Sequence, residues 1–306
     1  MSDLFDAGPP GPLTLRRLLS SDDLLIVPGC YDGLGARLIE QAGFGACYLT
    51  GFGSSASLLG RPDIGLLTAT EMVDAARRLV MATTLPVIAD ADTGYGNPLN
   101  VIRTVRDYER AGVAALQLED QVAPKRCGHM DNKAVISVEE MVTKVRAAVS
   151  ARTDPDLVII ARTDARAMEG LDAALDRAEA YAEAGADVLF IEALRHHDEF
   201  EAAATRDFGV PLVYNWVEGG KTPLLPAVDI AAMGYKILLL PISLLLQATK
   251  AMQTALAQIA ANGTPPVPGP VPAVDNTGDG GGDPFTAFNQ VVGLPEVLDL
   301  QQQYRV

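Results

Sequence analysis

Cysteine and histidine are scarce in this sequence, with three of each among 306 residues. Because the cysteines are odd in number and form no Cys-x-x-Cys pair, a disulfide framework and a zinc knuckle are both disfavoured. The adjacent histidines His196 and His197 lie in a run with helical spacing, where solvated side chains are expected. Zinc prefers histidine and cysteine ligands, so this histidine pair gives no reason to expect a zinc site.

Long apolar runs and net positive charge are also missing. The longest apolar run, residues 237–246, is interrupted by a proline and a serine, whereas a membrane span needs roughly 20 apolar residues. The initial segment MSDLFDAGPPGP has acids and prolines where a secretory signal would have cations, so we expect a cytoplasmic protein with no membrane partner. The net charge of −15 argues against a nucleic-acid partner, although a local group of cations could still bind a small anionic substrate.

Short apolar runs, in contrast, are frequent, and longer stretches with helical spacing lie between most of them. Eight such runs predict β-strands, at residues 24–28, 46–50, 86–90, 114–118, 157–162, 187–192, 211–215 and 235–240. They are apolar throughout, which is typical of a parallel sheet buried on both faces. Eight such units predict an α/β fold of the (β/α)8 TIM-barrel type. A doubly wound sheet is the alternative, but no Gly-x-Gly-x-x-Gly follows the first strand.

Local signals agree with helices between these strands. Ser137 and Glu140 have the spacing of a capping box at the start of a helix predicted over residues 137–152, and a second amphipathic helix is predicted over residues 68–83. Four helical stretches end in a residue pair whose glycine can adopt the left-handed conformation that terminates a helix. These pairs are Ala42-Gly43, Ala111-Gly112, Ala184-Gly185 and Met233-Gly234.

The composition changes after residue 261. We predict a barrel over residues 1–261, a Pro/Gly-rich linker or extended arm over 262–284, and a C-terminal helical segment over 285–306. The terminal helices could dock on another subunit or fold back on their own barrel, and the sequence favours neither arrangement.

Polar side chains stand where the predicted strands end, which is the face on which TIM barrels place their functional groups. They are Thr50, Asp90, Asp92, Glu119, Asp120, Arg162, Asp164, Glu192 and Asn215. Any single acid here could simply cap the following helix. Six acids on one rim would repel one another, however, unless a cation lay among them.

Three of these strand ends suggest specific ligands. Asp90 and Asp92 straddle one residue before a glycine-rich turn, and a few oxygen ligands suit Mg²⁺. The glycines and hydroxyls of residues 48–54 offer backbone N–H groups for a carboxylate, with a simple tight turn as the alternative. Arg162 could bind a second carboxylate through two hydrogen bonds, or it could pair with a neighbouring acid.

Five motifs occur in an order that resembles the isocitrate lyase/phosphoenolpyruvate mutase superfamily. They are DADTGYG at 90–96, LEDQ at 118–121, KRCGHM at 125–130, ARTDA at 161–165 and FIEA at 190–193. The KRCGHM motif resembles the signature of the carbon–carbon lyases in this superfamily, especially the short methylisocitrate lyase and dimethylmalate lyase type. The likeness covers roughly residues 20–260, and the ending LPEVLDLQQQY is similar to the family's tail.

The resemblance implies a magnesium-bearing barrel, with Mn²⁺ as an alternative metal, and a mobile loop after the fourth strand. It also implies a homotetramer whose last helices are exchanged between subunits. On matching positions, the resemblance implies that Asp90 binds the metal, with help through waters from Asp63, Asp92 and Glu119. It implies that a carboxylate is held by Tyr48, Thr50, Gly51 and Phe52, and that the substrate pocket is lined by Arg162, Glu192 and Asn215. It also implies that Cys127 donates a proton.

The implied reaction explains why a cysteine stands between cations in this loop. Cleavage between C2 and C3 of a 2-hydroxy di- or tricarboxylate leaves an enediolate that needs a proton. Lys125, Arg126 and His129 surround Cys127 in sequence, and positive charge stabilises a thiolate and so makes the thiol a better acid near neutral pH. Gly128 would let the loop close and exclude water. The alternative is a buried, inert cysteine.

Two departures from the family pattern bear on the substrate. Thr50-Gly51-Phe52 replaces the Ser-Gly-Gly of many such lyases, and the stretch after the eighth strand offers Ser243 and Gln247 but no arginine. A distal pocket without an arginine would be more apolar than a tricarboxylate needs, which would suit an alkyl-substituted malate. Carboxyphosphonoenolpyruvate mutase, phosphonopyruvate hydrolase and oxaloacetate decarboxylase remain alternatives within the superfamily, and a catalytically silent barrel used for binding is an alternative outside enzyme function.

Overall fold

Eight parallel strands close into a barrel in chain order in the computed structural model, which describes residues 11–128, 133–266 and 283–304. The strands are β1 Leu25–Cys30, β2 Cys47–Leu49, β3 Val87–Asp90, β4 Ala115–Glu119, β5 Val158–Thr163, β6 Val188–Ile191, β7 Leu212–Asn215 and β8 Ile237–Leu240. The barrel closes because β8 pairs with β1, with Leu25 opposite Ile237. The predicted TIM barrel is confirmed, and each predicted apolar run contains or overlaps one strand.

Thirteen helices lie in the described residues. They are α1 Gly11–Ser20, α2 Gly33–Gln41, α3 Gly51–Ser54, α4 Ala69–Ala82, α5 Pro98–Ala111, α6 Val138–Ala151, α7 Arg166–Glu169, α8 Leu171–Glu183, α9 His197–Thr205, α10 Ala227–Ala232, α11 Ser243–Asn262, α12 Pro284–Val291 and α13 Leu294–Tyr304. A π-helical turn, Ser55–Leu59, continues α3. None of these helices combines the length and the apolar character that crossing a membrane requires.

Helix termini follow the sequence signals closely. Gly43, Gly112, Gly185 and Gly234 all have φ between 82° and 103°, as predicted for glycines that end helices. Ser137 caps α6 by accepting from the Glu140 backbone N–H at 3.2 Å, which is one half of the expected capping box. The complete box occurs at α4, where Thr68 and Glu71 bond to each other's backbone N–H.

The core has two layers, as the geometry of a TIM barrel requires. The interior layer consists of side chains that alternate strands direct into the barrel, among them Val27, Ile88, Ile160 and Val213. The outer layer packs the other face of the strands against the surrounding helices. Both faces of the sheet are therefore buried, which explains why the strands are apolar throughout rather than alternating.

Helix α1 covers the end of the barrel where the strands begin, and the sequence interpretation did not include it. Leu15 is fully buried and joins the interior core. Arg16 donates to the carbonyl of Asp156 at 2.9 Å and to Asp187 at 3.0 Å, which ties the helix to the start of β5 and β6. With one end closed in this way, the other end of the barrel is the open one.

Helices lie on both sides of residues 267–282 in the chain after β8, with α11 before them and α12 and α13 after them. Helix α11 has no buried residue, and Phe285 and Phe288 of α12 are 77% and 50% exposed. Helix α12 contacts α2 through a hydrogen bond from Arg37 Nε to the Val291 carbonyl at 2.8 Å. Most of the predicted linker, residues 267–282, lies outside the described residues. The division of the chain at 261 and 284 therefore stays a prediction.

Candidate active site

A cavity of about 250 Å³ opens where the strands end, opposite α1. Six of the nine predicted strand-end residues line it, together with Tyr48, whereas Asp92, Asp120 and Asp164 do not. The six are Thr50, Asp90, Glu119, Arg162, Glu192 and Asn215. All seven side chains are buried, with at most 8% exposed. Charged and polar groups at this depth need partners, so the contacts among them define what the cavity can bind.

Four carboxylates and one ammonium group meet beside the cavity. Lys125 Nζ lies 2.7 Å from Asp63 Oδ1 and 2.8 Å from Asp92 Oδ1. Burial raises the pKa of Asp92 to about 7, with Asp90 and Asp63 adding to the effect and Lys125 opposing it. Burial also holds the pKa of Glu119 well above its usual range. Because these acids crowd together, Lys125 is held charged, and its pKa is raised despite burial.

This acidic cluster, Asp63, Asp90, Asp92 and Glu119, suits a divalent cation in its chemistry. Its donors are all oxygen atoms, which Mg²⁺ and Mn²⁺ prefer. Glu119 Oε1 is buried and accepts no hydrogen bond from the part of the chain that the structure describes, so it is available to a metal-bound water. Across the same residues, no three acids, histidines or cysteines form a ready-made metal site. The ammonium of Lys125 instead lies between two of the predicted metal-site acids.

Lys125 and Arg162 place positive charge among these acids. The six acids on the rim were expected to repel one another unless a cation lay among them. In the structure, Lys125 pairs with Asp63 and Asp92, while Arg162 pairs with Asp164, Glu119 and Glu192. The protein thus supplies part of the compensating charge itself. Lys125 was expected beside the thiol, but its ammonium is engaged by carboxylates.

The end of β2 brings backbone N–H groups next to the acidic cluster. Thr50 caps α3, accepting from the Gly53 N–H at 3.2 Å, so the amides of Gly51 and Phe52 open that helix. A Cβ on Gly51 would lie 2.5 Å from Asp90 Oδ2, which explains why a glycine is required there. Tyr48 donates to Gln117 Oε1 at 3.2 Å, and burial raises the pKa of its phenol well above the usual value.

Arg162 crosses the other side of the cavity. Its Nε donates to Asp164 Oδ2 at 3.0 Å, and its Nη2 lies 3.3 Å from Glu192 Oε2. Asn215 Nδ2 donates to the same Glu192 oxygen at 3.1 Å. The guanidinium lies 5.0 Å from the centre of the Phe190 ring. Arg162 is therefore paired with neighbouring acids and also lines the cavity, and its binding of a carboxylate stays a prediction.

Residues 125–128 of the segment that carries Cys127 line this side of the cavity. The Cys127 N–H donates to the Asp63 carbonyl at 3.2 Å, and the Gln121 side chain bonds to both the N–H and the carbonyl of Arg126. A Cβ on Gly128 would lie only 2.3 Å from Arg162 Nη2, so the loop backbone rests directly on that guanidinium. Cys127 is half-buried and lines the cavity. His129 lies outside the described residues.

Some predicted residues do not line the cavity. Asp120 turns away from it, and its carboxylate accepts from Tyr181 at 2.8 Å and from Thr163 at 2.7 Å. Ser243 and Gln247, which the sequence offered for the distal pocket, are not among the residues that form its wall. His196 and His197 are both exposed, as predicted for solvated side chains.

Sequence reasoning missed most of the distal wall. The residues there are Phe190, Val217, Glu218, Gly219, Gly220, Leu239, Pro241 and Ile242. They follow β7 and β8 or point inward from strands, and they carry no chemical signature that separates them from ordinary core and loop residues. Only their position at the strand ends could have indicated them.

The sequence is similar to that of known lyases over most of its length. The family model described as phosphoenolpyruvate phosphomutase matches residues 15–260. A 2,3-dimethylmalate lyase of Eubacterium barkeri is 47% identical over 296 residues, covering 95% of this chain and 96% of that protein. A 2-methylisocitrate lyase of Bacillus subtilis is 45% identical over 249 residues, covering 81% of each.

Solved structures resemble the whole chain. An oxaloacetate acetylhydrolase bound to the inhibitor 3,3-difluorooxaloacetate superimposes with a TM-score of 0.89 at 36% identity, covering 98% of each chain. A phosphonopyruvate hydrolase in complex with oxalate and Mg²⁺ gives a TM-score of 0.83 at 30% identity, covering 97% of this chain and all of that one. Both matches extend through the C-terminal helices as well as the barrel.

Proposed function

The chain belongs to the phosphoenolpyruvate mutase/isocitrate lyase superfamily and is a carbon–carbon lyase. We propose that it cleaves a substituted 2-hydroxy di- or tricarboxylate to an α-oxoacid and a second carboxylate. One observation carries this proposal. Cys127 lines the same small cavity as Arg162 and as Asp90 of the acidic cluster. An acid, a carboxylate-binding cation and an oxygen-rich metal site are the three groups that such a cleavage needs.

The wall of the cavity favours an alkyl-substituted malate within this class. The distal wall is mainly apolar, with Phe190, Val217, Leu239 and Ile242, and Glu218 adds negative charge. None of the residues described on this wall is a cation, although Arg126 of the Cys127 loop lines the same cavity. A third carboxylate packed against the wall would therefore lose its hydration without an ion-pair partner from the wall itself. Methyl groups on a malate would instead bury apolar surface, at roughly 0.8 kcal/mol for each carbon. A 2,3-dimethylmalate-like substrate fits better than a tricarboxylate such as methylisocitrate.

Each residue has a defined part in this reaction. Asp90 would hold Mg²⁺, with Asp63, Asp92 and Glu119 acting through waters, and the bound ion would polarise the oxygen atoms at the hydroxyl end of the substrate. The amides of Gly51 and Phe52 would bind the adjacent carboxylate, and Arg162 would bind the second one. Tyr48 stays protonated because its phenol is buried, so it orients groups by hydrogen bonding and does not act as a base.

The bonds then change in one balanced sequence. The 2-hydroxyl proton passes to a carboxylate of the acidic cluster, and the hydroxyl carbon becomes a carbonyl as the C2–C3 bond breaks. The electron pair of that bond remains on C3, next to the second carboxylate, as an enediolate. The Cys127 thiol transfers its proton to C3 and becomes a thiolate. The proton that the acidic cluster took from the hydroxyl then leaves the cluster and restores the thiol, directly or through solvent, so that both groups are regenerated before the next turnover. Arg162 stabilises the charge on the second carboxylate throughout.

A substrate panel tests the proposal. Purified protein with Mg²⁺ is given 2,3-dimethylmalate, malate, methylisocitrate, oxaloacetate and phosphonopyruvate in separate reactions, and both substrate loss and the carboxylate products are followed by chromatography. We expect 2,3-dimethylmalate to be cleaved with the highest kcat/KM. Turnover of phosphonopyruvate or oxaloacetate with no cleavage of any hydroxyacid would reject the proposal and favour phosphonate, decarboxylase or hydrolase chemistry.

A further inference from the structure

Lys133 is buried beside the candidate active site without lining its cavity. Its ammonium lies 2.5 Å from Asp164 Oδ1 and also donates to the carbonyl of Gly128. The two charged side chains are 1% and 0% exposed. A lysine is rarely buried this deeply unless it is paired, and breaking a buried ion pair leaves an uncompensated charge. The contact is therefore specific, and it joins positions 31 residues apart in the chain.

Asp164 connects Lys133 to the substrate-binding arginine. Its Oδ2 accepts from Arg162 Nε at 3.0 Å, and its Oδ1 accepts from Arg162 Nη2 at 3.2 Å. The Asp164 backbone N–H donates to Asp120 Oδ1 at 2.9 Å, which fixes the carboxylate at the end of β5. One immobilised carboxylate therefore holds the guanidinium and the ammonium at the same time.

The backbone around Cys127 is fixed from both sides. Before the thiol, the Cys127 N–H donates to the Asp63 carbonyl at 3.2 Å. After it, the Gly128 carbonyl accepts from Lys133, and Gly128 packs so tightly on Arg162 and Glu192 that an added Cβ would lie 2.7 Å from the Glu192 carboxyl carbon. Lys133 thus bonds to the peptide that follows the thiol, although its side chain does not line the cavity.

We propose that Lys133 is a positioning residue for proton transfer, because it ties the peptide that carries Cys127 to Asp164 and thereby to Arg162. The thiol and the guanidinium that binds the substrate are then held in one fixed relation. The effect of Lys133 on kcat rests on the proposed function, whereas its effect on the position of the thiol does not. Lys133 touches neither the cavity nor the acidic cluster, and Arg162 keeps its own contacts with Asp164 and Glu192 when Lys133 is removed. Loss of Lys133 therefore affects mainly the proton-transfer step and leaves substrate binding largely intact.

The first test is the Lys133→Met variant, which keeps side-chain length and removes the charge. We expect kcat to fall by about 10- to 100-fold, since misplacement by about 1 Å can cost that much, while KM changes less than about twofold. Lys236→Met is the matched control. Lys236 also donates to two backbone carbonyls, those of Ser21 and Asp23, but at the opposite end of the barrel. The Lys236→Met variant should retain the wild-type kcat.

The second test measures the thiol directly and requires no turnover. Cys30 and Cys47 are 1% and 0% exposed, so iodoacetamide labelling of the folded protein, located by mass spectrometry, reports on Cys127. Loss of a nearby positive charge by itself would slow alkylation, because it disfavours the thiolate. We expect Lys133→Met to speed alkylation of Cys127 at least about fivefold, since the thiol moves away from the packed cavity wall.

Two results would overturn the inference. One is a Lys133→Met protein with wild-type kcat and wild-type labelling. The other is a variant in which kcat and KM change together while Cys127 labelling keeps the wild-type rate, as expected for a lysine that supports only the fold. If the wild type cleaves no hydroxyacid, the proposed function fails, but the labelling comparison still decides whether Lys133 positions the thiol.

Discussion

Single side chains around the cavity are arranged so that each buried charge lies near an opposite one. Arg162 is held by Asp164 and Glu192, and Lys125 is held by Asp63 and Asp92. Removing one member of such a pair leaves the other buried without compensation, which typically costs 3–5 kcal/mol. Substitutions of these charges would therefore mix effects on folding and on chemistry. An uncharged residue, Cys127, offers a cleaner test of the reaction.

Among single-residue changes, Cys127→Ser should lower kcat by about 10²- to 10⁴-fold, which is the usual contribution of a positioned acid. The serine hydroxyl is nearly the same size but a far weaker acid, so binding and folding should change little. The measurement is α-oxoacid release under saturating substrate, with Cys30→Ala as the control because Cys30 is buried in the outer core layer. Full activity of Cys127→Ser would remove the proton-donor assignment.

Secondary-structure elements were the most predictable level of the molecule. The strands are apolar throughout, and the helix-ending glycines have the left-handed backbone that only glycine adopts easily, so local sequence determines both. Helix α1 was missed because its short amphipathic pattern follows a proline-rich start. The distal wall and the Lys133–Asp164 pair were also missed, since they depend on how distant segments of the barrel pack together and not on local pattern.

At the level of an element, Ser137 tests whether the cap of α6 is needed for stability alone. Ser137→Ala removes the hydrogen bond to the Glu140 N–H and should lower the free energy of unfolding by about 1 kcal/mol. Urea denaturation measures this change, and kcat should remain at the wild-type value. Thr143→Ala on the exposed side of the same helix is the control and should alter stability by less than about 0.5 kcal/mol. A stable Ser137→Ala protein with reduced kcat would show that the cap also affects the site.

The whole molecule combines a closed barrel with C-terminal helices that its own barrel leaves largely uncovered. Among the residues described after β8, α11 to α13 have no buried side chain, and α12 exposes two phenylalanines. Apolar surface of this kind often marks a contact between subunits. The barrel and the polar strand ends could be predicted from the sequence, but whether these helices exchange between subunits could not.

For the assembly, we predict a homotetramer in which α12 and α13 cover a neighbouring subunit. Light scattering coupled to size-exclusion chromatography should give about four chain masses for the full-length protein. A chain that ends at Thr264 should give a smaller assembly, because it lacks the phenylalanines at 285 and 288. A full-length monomer, or a truncated chain that still forms tetramers, would contradict this arrangement.

The metal dependence of the cleavage provides the most direct test of the account. Release of α-oxoacid from 2,3-dimethylmalate is measured for the wild type with Mg²⁺, after chelation, and after Mg²⁺ is restored, and in parallel for Asp90→Ala. The account predicts that wild-type activity disappears on chelation and returns with Mg²⁺, while folded Asp90→Ala is inactive at every Mg²⁺ concentration. Cleavage that continues in excess chelator, or an Asp90→Ala protein as active as the wild type, would contradict it.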